Sequence, residues 1–200
     1  MIDTKDVLRY FYKGQKDFNW YADLNAFLRV NFPNDNTKLI CDLLAATSIH
    51  SSLKSNIQQF FKAKRMLEEG IPFKGFLPTI INQLELIKQG ENLSGRKIRN
   101  FSNAMAGDES AVVVDIWICR AFNIDITRIY KGRDVSRGPT TKEYDAVESY
   151  IQEQAYLMGI QPRELCSTIW GGIRTEQTGR ANTTKYEDVI LRELEQLTLY

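Results

Sequence analysis

The segment LSGRKIRNFSNAMAGDESAVVVDIWICRAF, Leu93 to Phe122, holds two groups capable of covalent chemistry, Lys97 and Asp115, eighteen residues apart. Asp115 ends a run of three valines and precedes IWICRAF, whose Ile116, Cys119, Ala121 and Phe122 suggest a buried helix. An aspartate there is a natural N-cap. The helix dipole and free amides keep it ionised even when partly desolvated. Lys97 stands at the start of its own helix, KIRNFSNAMAG. A lysine at that positive end, partly buried, loses proton affinity. A depressed lysine beside an ionised carboxylate is the equipment for amine nucleophilic catalysis. The same two residues also fit a plain cap and a surface cation, and spacing alone does not decide between the readings.

The elements that must position them read as helix almost throughout. TKDVLRYFYKG opens at Thr4 and closes at Gly14; DFNWYADLNAFLRVNF carries Trp20, Leu24, Phe27 and Leu28 at helical spacing and stops before Pro33. NTKLICDLLAAT is apolar on most sides, which predicts a central buried helix. SSLKSNIQQFFKAKRMLEEG has hydroxyl caps at its start and Gly70 at its end, and PTIINQLELIKQG is bracketed by Pro78 and Gly90. Beyond Asp115, KEYDAVESYIQEQAYLMG, QPRELCSTIWGGIR and KYEDVILRELEQL are three more helices, separated by the loops KGRDVSRGPTT and GRANTTK. Val112–Val114 has strand composition, but no second strand is evident to pair with it. The run is therefore expected to be the buried approach to a helix, and the fold class to be all-α.

With 200 residues the chain suits one domain or two small lobes. Cys41, Cys119 and Cys166 are odd in number and scattered, so neither a disulfide framework nor zinc or iron–sulfur spacing is present. No apolar stretch approaches the roughly 20 residues that span a bilayer, and MIDTKDVLRYFYKGQ lacks a signal-peptide pattern. These features set the expectation of an intracellular, cytoplasmic protein. The net charge is +1, but it is segregated. Ser51 to Met105 holds nine Lys/Arg against four Glu, Arg120 to Arg137 five against two acids, and Gly138 onward six against ten. One basic surface on a near-neutral molecule is expected, although solvated helix faces account for the same counts.

The Lys97–Asp115 segment resembles the helix-hairpin-helix DNA glycosylases, the group of bacterial endonuclease III and 8-oxoguanine glycosylase. Those enzymes carry Leu-Pro-Gly-x-Gly-x-Lys, a helix, a short turn, then Val-Asp at the head of another helix. Gly95, Arg96 and Lys97 match the end of that hairpin, and GDESAVVVD matches the approach to the aspartate. Upstream, LLAATSIHSSLKSNIQQFFKA is similar to the family's Leu-Leu-Ser-x-Gln-x-x-Asp segment, with Ser48 and Asn56 in register. His50, the single histidine, then falls where the family places the side chain that fills the gap left by a flipped nucleotide. VESYIQEQAYLMGIQPRELCSTIWGGIR is similar to the C-terminal part of glycosylase-like proteins of bacteriophages. There are departures. Leu93 stands at the first hairpin glycine, the iron–sulfur cysteines are absent, and Trp117 replaces the histidine that often follows the aspartate by two positions.

The resemblance implies a two-lobed all-α fold without an iron–sulfur cluster. Residues 1–34 would pack with a C-terminal lobe, 35–110 would form the central lobe with the hairpin, and 111–200 the C-terminal lobe. It implies a DNA glycosylase and AP lyase, with Lys97 attacking the sugar C1′ and Asp115 activating it and stabilising positive charge. His50, Ser48, Asn56, Gly95, Arg96, Arg99 and Lys54 would contact DNA, joined by Lys62 and Lys64 of the basic middle. Trp20, Tyr21, Trp117 and Trp170 are base-pocket candidates that also fit a core. The implied partner is duplex DNA with a flipped nucleotide, bound by a monomer without metal or cofactor, at the nucleoid or in a phage-infected cell. Rival readings are a monofunctional phage enzyme acting on a hypermodified base, a non-catalytic DNA-binding module, and a protein-interaction role for the acidic C-terminal helices.

Overall fold

The computed structural model describes residues 3–130, 133–179 and 185–198, which are helical apart from one short hairpin. The helices are α1 (Val7–Lys13), α2 (Trp20–Asn31), α3 (Thr37–Thr47), α4 (Leu53–Glu68), α5 (Pro78–Lys88), α6 (Arg96–Ala106), α7 (Ile116–Ala121), α8 (Thr141–Met158), α9 (Pro162–Thr178) and α10 (Tyr186–Thr198). Between α7 and α8 lie the strands β1 (Thr127–Tyr130) and β2 (Arg133–Ser136). The chain divides into two compact units: Met1–Tyr21 with Asp108–Thr183, and Ala22–Gly107 with Thr184–Tyr200. This redraws the three-part division expected from sequence. The boundary falls inside α2, and α10 joins the unit of the middle segment because it packs on α4.

The first unit is organised by α9, against which α1, α7 and α8 pack. Its approach to α1 depends on missing side chains. A Cβ on Gly172 would lie 1.9 Å from the Tyr10 carbonyl oxygen, and one on Gly14 would lie 1.8 Å from that of Thr168. The two backbones therefore touch directly, which only glycine permits. The valine run crosses this core outside any helix or strand, with Val112 and Val114 wholly buried. Buried backbone of this kind needs partners, and side chains supply several of them. The Tyr144 hydroxyl of α8 donates to the Val112 carbonyl at 2.8 Å, and the Cys166 thiol of α9 faces that of Val113 at 3.6 Å. The expectation of a buried approach without strand pairing is met. The loop read over KGRDVSRGPTT is different: Arg133–Ser136 pairs antiparallel with Thr127–Tyr130, with Arg128 opposite Val135 and Tyr130 opposite Arg133. These short strands carry charged residues rather than an apolar alternation, which is why the sequence pattern hid them. Of that loop, residues 131 and 132 lie outside the described residues, as do 180–184 of the predicted loop GRANTTK.

The second unit is built on α3. Its Ile40, Cys41, Leu43, Leu44, Ala45 and Ala46 are buried, and it packs against α4, α5 and α6. Asn36 caps it by accepting from the amides of Lys38 and Leu39. Helices α5 and α6 enclose the hairpin that carries Lys97.

Candidate active site

In the first unit, Asp115 is the N-cap of α7 and is half-buried. Its Oδ1 accepts from the amides of Trp117 and Ile118, both at 2.9 Å, and its Oδ2 accepts from the Trp170 indole Nε1 at 3.0 Å. Three N–H donors therefore address one carboxylate, two from a helix start and one from α9. The buried valine run positions this carboxylate, and the donors fix how it is turned. Around it lie aromatic rings. Trp170 is 6.4 Å from Trp20 in a tilted pair, and Trp20 meets Tyr21 edge-to-face at 4.6 Å. Arg174 lies over the Trp170 ring and Arg120 over that of Trp117. Trp20, Trp117 and Trp170 are half-buried, whereas Tyr21 is buried and belongs to the core. No local pattern marks Trp170, fifty-five residues downstream, as a partner of Asp115.

In the second unit, Lys97 lies in the first turn of α6, after Gly95, which has a φ of 86°. It is exposed, not partly buried as the sequence suggested. Gln83 of α5 holds the hairpin by a two-way clamp: its Nε2 donates to the Ser94 carbonyl at 3.2 Å and its Oε1 accepts from the Ser94 amide at 2.9 Å. Leu93, at the position of the family's first glycine, is buried and plugs the hairpin into the core. Its carbonyl accepts from Arg99 Nη1 at 3.4 Å. Gly95 and Arg99 are exposed and Arg96 is half-buried, beside Lys97 in sequence.

The loop from α3 to α4 carries the other predicted residues. His50 is exposed and holds a φ of 53°, a left-handed conformation that few non-glycine residues adopt. Gln59 braces this loop through the Ser51 hydroxyl at 2.9 Å. Ser48 is half-buried and donates to the Ala45 carbonyl at 2.7 Å. Asn56 is not a DNA contact. It is 1% exposed, donates to the Tyr186 hydroxyl at 2.8 Å and accepts from Thr47 at 2.7 Å. Its role is to tie α10 to α4. Burial pushes the Tyr186 hydroxyl up to about 12, so this network stays neutral. Lys54 is exposed. Two cations of the basic middle are engaged within the unit: Lys64 pairs with Asp35 and Glu68, and Lys62 donates to the Gly75 carbonyl and lies over Phe76. A cavity of about 510 Å³ between α2, α4 and α10 is lined by residues such as Phe32, Phe61, Arg65 and Glu193, together with Lys62 and Lys64 of the basic middle.

A family model described as "Family of unknown function (DUF7178)" matches residues 12–177. The chain belongs to the DUF7178 family. No curated protein and no solved structure matches it. The DUF7178 match takes in Lys97, Asp115 and every other predicted site residue. The three cysteines are buried and free, and burial pushes each thiol up to about 12, which disqualifies them as nucleophiles. Among the described residues no group of three or more His, Cys, Asp or Glu is placed to hold a metal ion, and no helix is long and apolar enough to cross a membrane.

Proposed function

We propose that this DUF7178 protein is a DNA glycosylase that extrudes a damaged or modified base and cleaves its N-glycosidic bond. The observation that carries the reading is the geometry of Asp115: a half-exposed carboxylate held by three N–H donors and flanked by tryptophans. Glycosidic cleavage builds positive charge on the deoxyribose, and a negative charge fixed in advance stabilises that charge without reorganising. Flat rings suit an extruded base, which is gripped by stacking. Lys97 supplies the amine that attacks C1′, forms a Schiff base and permits β-elimination, so that base release and strand cleavage share one intermediate. His50, on its braced loop, fills the gap left in the duplex, and Arg96, Arg99 and Lys54 meet phosphates. The DNA is bound as a duplex.

A second reading is favoured by one observation, the exposure of Lys97. An exposed lysine is placed to meet a phosphate as a point charge. In that reading the enzyme is monofunctional: Asp115 stabilises the sugar while water attacks, and Lys97 contacts a phosphate. A panel of duplex oligonucleotides, each with one modified base, separates the readings when scored for abasic sites and nicks. The bifunctional enzyme yields nicks and a borohydride-trapped adduct on the productive substrate. The monofunctional one yields abasic sites alone. A panel that gives neither contradicts both.

A further inference from the structure

We propose that the cavity between α2, α4 and α10, in the second unit, binds a small planar molecule that carries one anionic group, an aromatic carboxylate in the simplest case. Its volume, about 510 Å³, falls within the range of small-molecule pockets, about 300–1,000 Å³. Its apolar wall is aromatic. Phe32 and Phe61 line it, with ring centroids 6.3 Å apart and planes tilted by 43°. Both meet Phe60 edge-on, at 5.8 and 4.9 Å, and Phe60 is fully buried. The wall is thus held from behind, while Phe61 itself is only half-buried. A half-covered ring backed by a buried one offers its open side to another flat group.

Charge decides what else the ligand carries. Five charged side chains line the cavity, and four of them are engaged inside the unit. Lys64 pairs with Asp35 at 3.1 Å and with Glu68. Lys62 donates to the Gly75 carbonyl at 3.2 Å and lies 4.6 Å from the centre of the Phe76 ring. Glu193 accepts from Gln58 Nε2 at 3.2 Å. Arg65 remains: it is exposed, and its guanidinium makes no hydrogen bond or ion pair with the described residues. Its planar fork of N–H donors matches a carboxylate in both charge and shape. Phe61 and Arg65 are four residues apart in α4, so ring and guanidinium stand side by side on one helix face. That pairing fits a ligand whose ring and anion are joined directly. The inference rests neither on DNA nor on any step at Lys97 or Asp115.

The test titrates the full chain with naphthoate and, separately, with its uncharged counterpart naphthamide, read in two-dimensional nitrogen–proton spectra. Naphthoate should bind saturably, shifting amides that border the cavity in α2, α4 and α10. It should bind about fivefold more tightly than naphthamide, the scale of one solvent-exposed ion pair. Arg65→Gln should erase that preference, weakening naphthoate about fivefold and leaving naphthamide unchanged. Phe61→Leu should weaken both probes alike. Lys88→Gln, an equal charge change on α5 outside the cavity, should alter neither affinity. Because Arg65 is exposed, its variant should keep the fold, which the spectrum of the free protein verifies. An acid bound no better than the amide, an Arg65→Gln variant without effect, shifts centred elsewhere, or no saturable binding at millimolar probe would each overturn the proposal. Displacement of naphthoate by a short DNA duplex would overturn it too, by making Arg65 a phosphate contact.

Discussion

Trp170→Phe removes the hydrogen bond to Asp115 together with part of the ring that meets Trp20 and Arg174. The indole Nε1–H donates to Oδ2 at 3.0 Å, and the acceptor is a carboxylate. Hydrogen bonds to charged groups contribute about 1.5–3 kcal/mol. Both residues are half-buried, so water replaces part of the donor and the lower end, about 1.5 kcal/mol, is expected. For a chain of this size that lowers Tm by about 3–6 °C. The pairwise part is isolated by a cycle with Asp115→Ala, read by reversible urea unfolding. Asp115→Ala alone also loses the α7 cap, typically about 1 kcal/mol more. In the Asp115→Ala background, Trp170→Phe should cost about 1.5 kcal/mol less than it does in the wild type, leaving only the packing lost with the smaller ring. In two-dimensional nitrogen–proton spectra the Trp170 indole signal should shift and exchange faster in Asp115→Ala. Additive losses in the cycle, with an unmoved indole signal, would refute the three-donor description of the site.

Other expectations follow from the same contacts. Asn56→Ala should destabilise by about 1–3 kcal/mol, because it removes a buried amide that accepts from Thr47 and donates to the Tyr186 hydroxyl; denaturant unfolding measures it, and an unchanged midpoint would count against the tie between α10 and α4. Gly172→Ala should cost about 3 kcal/mol or more, since its Cβ would lie 1.9 Å from backbone that cannot give way without moving α1; a soluble variant with wild-type Tm would contradict that packing. Arg137 and the Thr140 amide hold the Glu143 carboxyl at about 2, below its ordinary 4.5. A depressed acid stabilises the fold fully above its unfolded value and loses that contribution as pH falls toward its folded one. Wild type and Glu143→Gln should therefore differ in stability above pH 4.5 and converge near pH 2; a constant gap on acid titration would refute the pairing.

What the sequence made legible was mainly periodic. Apolar spacing and end signals predicted the helices, and the valine run was correctly read as the buried approach to an N-cap. The cap chemistry of Asp115 was readable because it involves adjacent residues. Trp170, Gln83 and Tyr144 were not assigned to the structures they support, because each joins positions far apart in sequence and has no local signature. The exposure of Lys97 was missed because helix position fixes the direction of a dipole but not the amount of cover. Asn56 looked like a surface amide by register with a resembled motif, and only the docking of α10 shows why it is buried. The β ribbon escaped notice because its strands are charged and held by their ends. The fold class needs only local pattern, whereas a site depends on contacts between distant positions.

Borohydride trapping on the productive oligonucleotide decides the role of Lys97. A covalent protein–DNA adduct is expected with the wild type, none with Lys97→Gln, and near-wild-type DNA affinity in that variant, because one phosphate-scale contact is all it loses. Asp115→Asn should slow base release strongly while affinity holds, as expected of a group that acts in the transition state. Base release without an adduct in both wild type and Lys97→Gln would replace the lyase with the monofunctional reading. Full activity in both Lys97→Gln and Asp115→Asn would contradict the assignment of the site itself.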